Sequence, residues 1–312
     1  MASIKSIKQR IKGAQNTAKI TKAMEVVSAT KMRRSQQFAL RARPYAVVSL
    51  ELMGNILSCM ETIEGAPIHP LFSKRPVASR ALLVVTADKG LAGAINTNVL
   101  KKADVWIASH TDAPYALVTV GKKAKEYYER RGMPITKSFF GFGDYSTREQ
   151  TLPVAEALVN GFLDGLWDEV DAVYTNFRTS LLQESVTRSM LPATREGLEE
   201  TVRGIMPEAG KFAMSDLPAT SAGMYRYEYT IEPSPEEVLS VLVPQLLRIH
   251  IHHIILESNA SEHSARMVAM KNASDNAREL ITDFTRLYNQ VRQAGITREL
   301  AEISAGAEAL AE

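Results

Sequence analysis

The sequence is poor in the residues that build disulfide frameworks and cysteine metal clusters. Its 312 residues include a single cysteine, Cys59. A disulfide framework and a cysteine-based metal cluster are therefore excluded, and a reducing compartment fits this composition. No uninterrupted apolar run reaches the roughly 18 residues that cross a bilayer, so we do not expect the chain itself to span a membrane. With 45% hydrophobic and 23% charged residues, the composition is that of a globular protein.

Acidic residues are almost missing from the first 45 residues. This segment contains eleven Lys and Arg but only one acidic residue, Glu25, which gives a net charge of +10. The remaining 26 basic and 34 acidic residues give −8, so the near-neutral total of +2 hides a separate basic segment. Organelle transit peptides are also acid-poor and amphipathic. They are short, whereas the helical pattern here continues past residue 50, which favours a long structural helix with no leader or transit peptide evident.

A narrow stripe of apolar and small residues predicts the first helix. Its members recur at alternating spacings of three and four: Ile4, Ile7, Ile11, Ala14, Ala18 and Thr21. No proline interrupts the segment before Pro44, and good helix formers continue to about Met60. A glycine and three prolines then end the run.

The carboxyl end predicts a second, longer helix. Ser234-Pro235-Glu236-Glu237 matches a capping box, with Ser234 as N-cap. A continuous helix from there to Leu310 would be about 115 Å long, and Pro244 predicts a bend near Val243. The alternation of a coiled-coil seam is kept at Met270, Ala273, Ala277, Leu280, Phe284, Leu287, Val291 and Ala294. We expect the two helices to pair as an antiparallel coiled coil; separate packing of each on a globular core is the alternative.

Strand and helix patterns alternate between the two terminal helices. We predict strands at 81–86, 115–120, 135–140 and 170–177 and helices at 96–105, 122–131 and 153–167, followed by a long loop at 191–224 and a half-exposed strand at 225–229. This order predicts a mostly parallel sheet. The fold class is therefore α/β, with a long antiparallel coiled coil of the N- and C-terminal helices plus a Rossmann-like parallel-sheet domain. The predicted divisions are 1–62 and 234–312 for the coiled-coil helices and 77–232 for the Rossmann-like domain.

Two segments are candidates for chemistry. The loop after the first strand, with Gly90 and Gly93, contains neither GxGxxG nor GxxxxGK, so it predicts a tight turn rather than a nucleotide site. His250, His253 and Glu257 fall near one face of the last helix, a spacing that superficially suits a metal ion. HExxH is absent, which favours a polar helix surface over a metal site. No catalytic set can be assigned from residue spacing.

Three stretches closely resemble the gamma subunit of F-type ATP synthases: ITKAMEVVSATKMRRSQQ (20–37), SEHSARMVAMKNASDNA (261–277) and YNQVRQAGITRELAEISAGAEAL (288–310). The resemblance runs from Ala2 almost to the end, with one departure at Ala92, where the family commonly has a cysteine. It implies a non-catalytic rotor of the central stalk, without cofactor or metal, in a proton-translocating complex. The rotor would couple rotation of the membrane c ring to ATP synthesis or hydrolysis at the beta subunits.

The resemblance also implies partners and contact residues. A hexamer of alpha and beta subunits would surround the helices, and epsilon and the c ring would lie at the foot, on the cytoplasmic face of a bacterial plasma membrane. Matching shaft positions are Met24, Lys31, Arg33, Arg34, Arg266, Arg292, Gln293 and Thr297. Matching foot positions are Tyr225, Tyr227 and Glu232. The basic helix would complement an acidic loop of beta.

Two other classes of protein remain open at this point. A basic helix also suits a nucleic-acid-binding protein. Against this alternative, the charges are scattered around the helix with little aromatic interleaving and no recognition motif. The interpretation as an enzyme would rest on the α/β domain and the histidine run, but the sequence lacks a phosphate loop.

Overall fold

The structure is a computed structural model that describes residues 4–41, 48, 70–194, 232 and 234–309. The chain forms two compact units, one of residues 1–28 with 266–312 and one of residues 29–265. We call them the coiled-coil unit and the α/β unit. Two long helices contribute to both units: α1 (Ile4–Arg41) and α5 (Pro235–Ala309). The predicted extension of α1 to about Met60 and the predicted strand at 225–229 lie outside the described residues, and the predicted divisions of the chain stay predictions.

The coiled-coil unit pairs the start of α1 with the end of α5. The Ser274 hydroxyl donates to the Ala18 carbonyl oxygen at 3.5 Å, and the Arg10 guanidinium lies 6.0 Å from the centre of the Phe284 ring. Positions along α1 therefore fall as positions along α5 rise, so the pair is antiparallel, as predicted. Ala18 and Ser274 are small, which lets the two backbones approach closely at the first of these contacts.

The seam of α1 follows the predicted stripe. Ile7 and Thr21 are buried, and the stripe residues between them are half-buried. Thr21 donates its hydroxyl to the Thr17 carbonyl oxygen at 2.9 Å, which satisfies its polar atom inside the seam. Ile4, at the beginning of the helix, is 40% exposed.

Five of the eight predicted seam residues of α5 face inward and three do not. Met270 and Ala277 are buried and Phe284 and Val291 are half-buried, but the alternate positions face outward: Leu280, Leu287 and Ala294 are exposed. The seam uses the residues that follow these three instead, which are Ile281, Tyr288 and Gly295. Near its start it uses both Ala273, which is half-buried, and Ser274, which is buried. From Leu280 onward, every second seam position is therefore shifted by one residue.

The α/β unit is built on a five-stranded sheet of order β3-β2-β1-β4-β5. Its strands are β1 (Arg80–Val85), β2 (Tyr115–Val120), β3 (Lys137–Phe139), β4 (Glu169–Phe177) and β5 (Gln183–Leu191). The first four are parallel, and β5 runs antiparallel to β4. The helices between them are α2 (Ile95–Ser109), α3 (Lys122–Arg130) and α4 (Arg148–Leu163). This arrangement confirms the predicted fold class.

Both faces of the sheet are covered by helices. Alternate residues of β1 point to opposite faces, so Leu83 belongs to the core formed with α4 and α5, and Leu82 to the core formed with α2 and α3. Strands buried on both sides read as continuous apolar runs, and all six residues of β1 are buried. The α5 residues from Leu239 to Ile255 supply a large part of the first core.

Two local elements differ from the sequence-based prediction. Strand β5 was not predicted, because its exposed polar residues alternate along an edge strand and give little apolar signal. Helix α4 begins at Arg148 rather than Pro153, because Thr147 forms a capping box with Gln150 ahead of the proline. At the β2–α3 turn, Gly121 has φ +93, and a Cβ there would collide with the Thr86 carbonyl oxygen.

Helix α5 begins where predicted. The Glu237 backbone N–H donates to the Ser234 hydroxyl at 3.2 Å, which is the predicted N-cap. The helix continues through Pro244, and the expected bend near Val243 stays a prediction. By length and hydropathy α5 contains a window that could cross a membrane, and half of that window is buried within the protein. Buried residues such as Val243, Leu247 and Ile251 instead pack in the core on the sheet.

Candidate interface on the terminal helices

Helix α1 presents its positive charge to the outside. Eight of its basic side chains are exposed: Lys5, Lys8, Arg10, Lys12, Lys19, Lys22, Arg33 and Arg34. The single acidic residue of the helix, Glu25, accepts from Lys22 at 2.9 Å, an exposed i,i+3 pair of small energetic weight. The excess of positive charge is therefore available to an acidic partner.

Lys31 is held inside the α/β unit rather than free on the surface. Its Nζ donates to Asp144 Oδ2 at 2.7 Å, and Lys89 Nζ lies 3.9 Å from Asp144 Oδ1. Burial tends to raise the pKa of Asp144, but the hydrogen bond from Lys31 and the charges of both lysines lower it overall. The carboxylate is therefore kept ionised.

The remaining predicted shaft residues differ in exposure. Arg33, Arg34, Arg292, Gln293 and Thr297 are exposed, and Met24 is half-buried. Arg266 is buried, at 7% exposed. Of the predicted foot residues, Glu232 is exposed, and Tyr225 and Tyr227 lie outside the described residues. Their roles as contacts stay a prediction.

Sequence reasoning missed an outward apolar row on α5. Leu280 is 49% exposed and Leu287 is 41% exposed, one heptad apart on the same face. We call Leu280 and Leu287 the outer row. Ile296, Leu300 and Ile303 are also exposed, but at 3.6 residues per turn they lie on the other side of the helix, nearer its end. The signal in the sequence was the apolar pairs Leu280-Ile281 and Leu287-Tyr288, which supply one seam residue and one outward residue each.

The histidine run is buried, so its interpretation as a polar helix surface is wrong. His250, His253 and Glu257 are 5%, 4% and 6% exposed, because this face of α5 packs on the sheet. Burial lowers the pKa of His250 and of His253 to about 3 and raises the pKa of Glu257 to about 8. Glu257 Oε1 accepts from the Phe177 backbone N–H at 3.3 Å. Among the described residues, no group of three or more His, Cys, Asp or Glu side chains is arranged to hold a metal ion.

A small cavity lies at the carboxyl edge of the parallel strands, where α/β proteins bind ligands. Its volume is about 40 Å³, and its lining includes Thr86, Asp88 and His263. Pockets that enclose small molecules are larger, at about 300–1,000 Å³. The Asp88 carboxylate is hydrogen-bonded within the protein, since its two oxygens accept from the backbone N–H groups of Lys122 and Gly141.

The geometry therefore defines a class of protein built from two long paired helices, with a basic and an apolar outer surface, together with an α/β unit. The sequence model of the ATP synthase family matches residues 3–310. The ATP synthase gamma chain of Herpetosiphon aurantiacus is 38% identical over 318 residues, covering 99% of each chain. That of Moorella thermoacetica is 37% identical, covering 99% of this chain and 100% of its own.

Solved structures share the fold. A chain of the Euglena gracilis mitochondrial ATP synthase, in a structure of OSCP, F1 and c-ring, matches with a TM-score of 0.63 at 16% identity, covering 98% of this chain and 94% of its own. A chain of the Tetrahymena thermophila central stalk and c-ring matches with a TM-score of 0.56 at 21% identity, covering 82% and 99%. The chain belongs to the ATP synthase gamma-chain family. It is therefore a non-catalytic subunit of an ATP synthase, and this membership does not support the nucleic-acid alternative.

Proposed function

We propose that this subunit is the rotating shaft that couples the c ring to the catalytic beta subunits. In this proposal a hexamer of alpha and beta subunits surrounds the coiled-coil unit, and epsilon and the c ring bind at the foot. The complex would lie on the cytoplasmic face of a bacterial plasma membrane and translocate protons. Support comes from the bacterial relatives and from the rotor and c-ring assemblies that contain chains of the same fold.

The outer row is the observation that carries this proposal. A coiled coil buries its apolar residues in its seam, yet the outer row leaves Leu280 and Leu287 exposed, and three more large apolar side chains are exposed near the end of α5. Exposed apolar surface of this kind marks an interaction site. Apolar contact is non-directional, so a sleeve of subunits around the helix can hold it without fixing one angle.

The basic surface of α1 supports the same arrangement. Arg33 and Arg34 are exposed on the face of a helix that carries one acid, which suits acidic loops of beta. Exposed ion pairs contribute about 0–1 kcal/mol each and weaken with salt. A shaft that passes equivalent beta subunits requires contacts of this weak kind, because a deep energy well at one subunit would stop rotation.

Co-purification from detergent-solubilised membranes tests the proposal. A tagged full-length chain should retain alpha, beta and epsilon subunits in high salt, since the outer row is apolar. Leu280→Asp should reduce the retained alpha and beta subunits. The matched control is Gln290→Asp, which adds the same charge at an exposed position one heptad after Asp283 and should retain them. Loss of alpha and beta from the unmutated chain in high salt, or equal loss in both variants, would refute the sleeve around α5.

A further inference from the structure

The loop between β3 and α4 contacts both terminal helices within the α/β unit. From α1, Lys31 donates to the Asp144 carboxylate, and the Phe38 ring lies 5.8 Å from the Tyr145 ring. From α5, Asn259 Nδ2 donates to the Ser146 hydroxyl at 2.9 Å. We call Asp144, Tyr145 and Ser146 the helix clamp.

Further contacts strengthen each side of the helix clamp. The Arg34 guanidinium lies 6.0 Å from the centre of the Tyr145 ring. His263 Nε2 on α5 lies 3.4 Å from the Asp144 carbonyl oxygen. Asp144 therefore faces α1 with its side chain and α5 with its backbone, so one residue links the two helices.

The loop that carries the helix clamp is itself fixed at both ends. Before the clamp, the Gly141 backbone N–H donates to Asp88 Oδ2 at 2.8 Å. After it, Thr147 forms the capping box that starts α4. Ser146 is buried, at 5% exposed. The backbone N–H groups of Gly141 and Thr147 both donate to side chains, so the loop is anchored on either side of the helix clamp.

We propose that the helix clamp positions α1 and α5 on the α/β unit, so that torque applied to this unit turns both helices together. The inference rests on the proposed rotor function and assigns Lys31 a partner within its own chain. A shaft of two helices joined to its base through only one of them would twist under load. The large core already joins α5 to the sheet, and the helix clamp supplies the corresponding attachment for α1.

The experiment uses the assembled complex in membrane vesicles. Lys31→Gln, Asp144→Asn and the double variant are compared by protons pumped per ATP hydrolysed and by amide hydrogen exchange over residues 29–38. Each single variant should speed exchange about two- to fivefold, the range for one partly exposed ion pair, and should lower the pumping ratio. The double variant should be no worse than either single, because both remove the same contact.

Two further variants separate positioning from general loss of charge. Asp144→Glu should restore exchange and pumping toward the unmutated values, since it keeps a carboxylate for Lys31. Asp164→Asn removes an exposed aspartate at the end of α4 and should change neither. If Lys31→Gln lowers pumping but Asp144→Asn does not, Lys31 acts on another subunit and the inference fails. Additive effects of the two variants would also refute it.

Failure of the proposed rotor function would give a different result from failure of the helix-clamp inference. In that case the unmutated chain would not rotate, whereas the exchange results would still report on the helix clamp. Where a variant prevents assembly, exchange over residues 29–38 in the full-length chain alone decides the question, and unchanged exchange in Asp144→Asn refutes the inference.

Discussion

At the scale of single residues, burial changes the chemistry of the histidine run. From sequence, His250, His253 and Glu257 could be placed on one helix face, but whether that face meets water depends on how α5 packs on the sheet. Burial keeps both imidazoles neutral and favours the protonated form of Glu257, because a charge inside the core is poorly solvated. These three side chains therefore affect the stability of the core, and their shifted pKa values are not a sign of catalysis.

Glu257 predicts a defined dependence of stability on pH. Its pKa is raised from an ordinary value of 4.5 to about 8 in the folded chain, so its stabilising contribution is complete below 4.5 and is lost as pH rises through 8. Within this window the free energy of unfolding should fall by up to about 1.4 kcal/mol per pH unit from this group. Glu257→Gln, which cannot ionise, should lack that fall.

Urea denaturation followed by tryptophan fluorescence measures this effect. Trp106 and Trp167 are both buried in the α/β unit, so they report on the unit that contains Glu257. The difference in free energy of unfolding between Glu257→Gln and the unmutated chain should grow in favour of the variant from pH 5 to pH 8. A difference independent of pH would show that Glu257 has an ordinary pKa.

At the scale of elements, the long helices and buried strands could be predicted because their periodicity extends over many residues. Both termini of the chain show the 3,4 alternation, and β1 is a continuous apolar run. The heptad phase of α5 could not be predicted, because Leu280 and Ile281 are both apolar and either could occupy the seam. Strand β5 was missed because an edge strand needs no apolar face.

The shifted seam predicts opposite results for two adjacent substitutions. Ile281→Asp would place a charge in the seam of the coiled-coil unit and should lower the stability of the full chain by about 1–3 kcal/mol. Leu280→Asp points outward and should leave that stability nearly unchanged, although it weakens binding to alpha and beta. Thermal unfolding followed by circular dichroism separates them. Equal destabilisation by both variants would show that Leu280 lies in the seam, which would contradict the shifted phase.

At the scale of the whole molecule, the sequence indicated the protein family more clearly than it indicated the residues of the candidate interface. The terminal stretches were specific enough to predict a gamma subunit, and the comparisons confirm it. The contacts of Lys31 could not be predicted, since Asp144 is 113 residues away in the chain and only the folded sheet brings it near. The outer row depended in the same way on the phase of α5.

The central claim is that this subunit turns inside the hexamer, and rotation of the immobilised complex tests it most directly. A probe can be attached at Lys102→Cys, an exposed position on α2, in a Cys59→Ser background that removes the single native cysteine of the chain. With the hexamer fixed to a surface, ATP should drive the probe in one direction through complete turns. A probe that stays at one angle while the same complexes hydrolyse ATP would contradict the account.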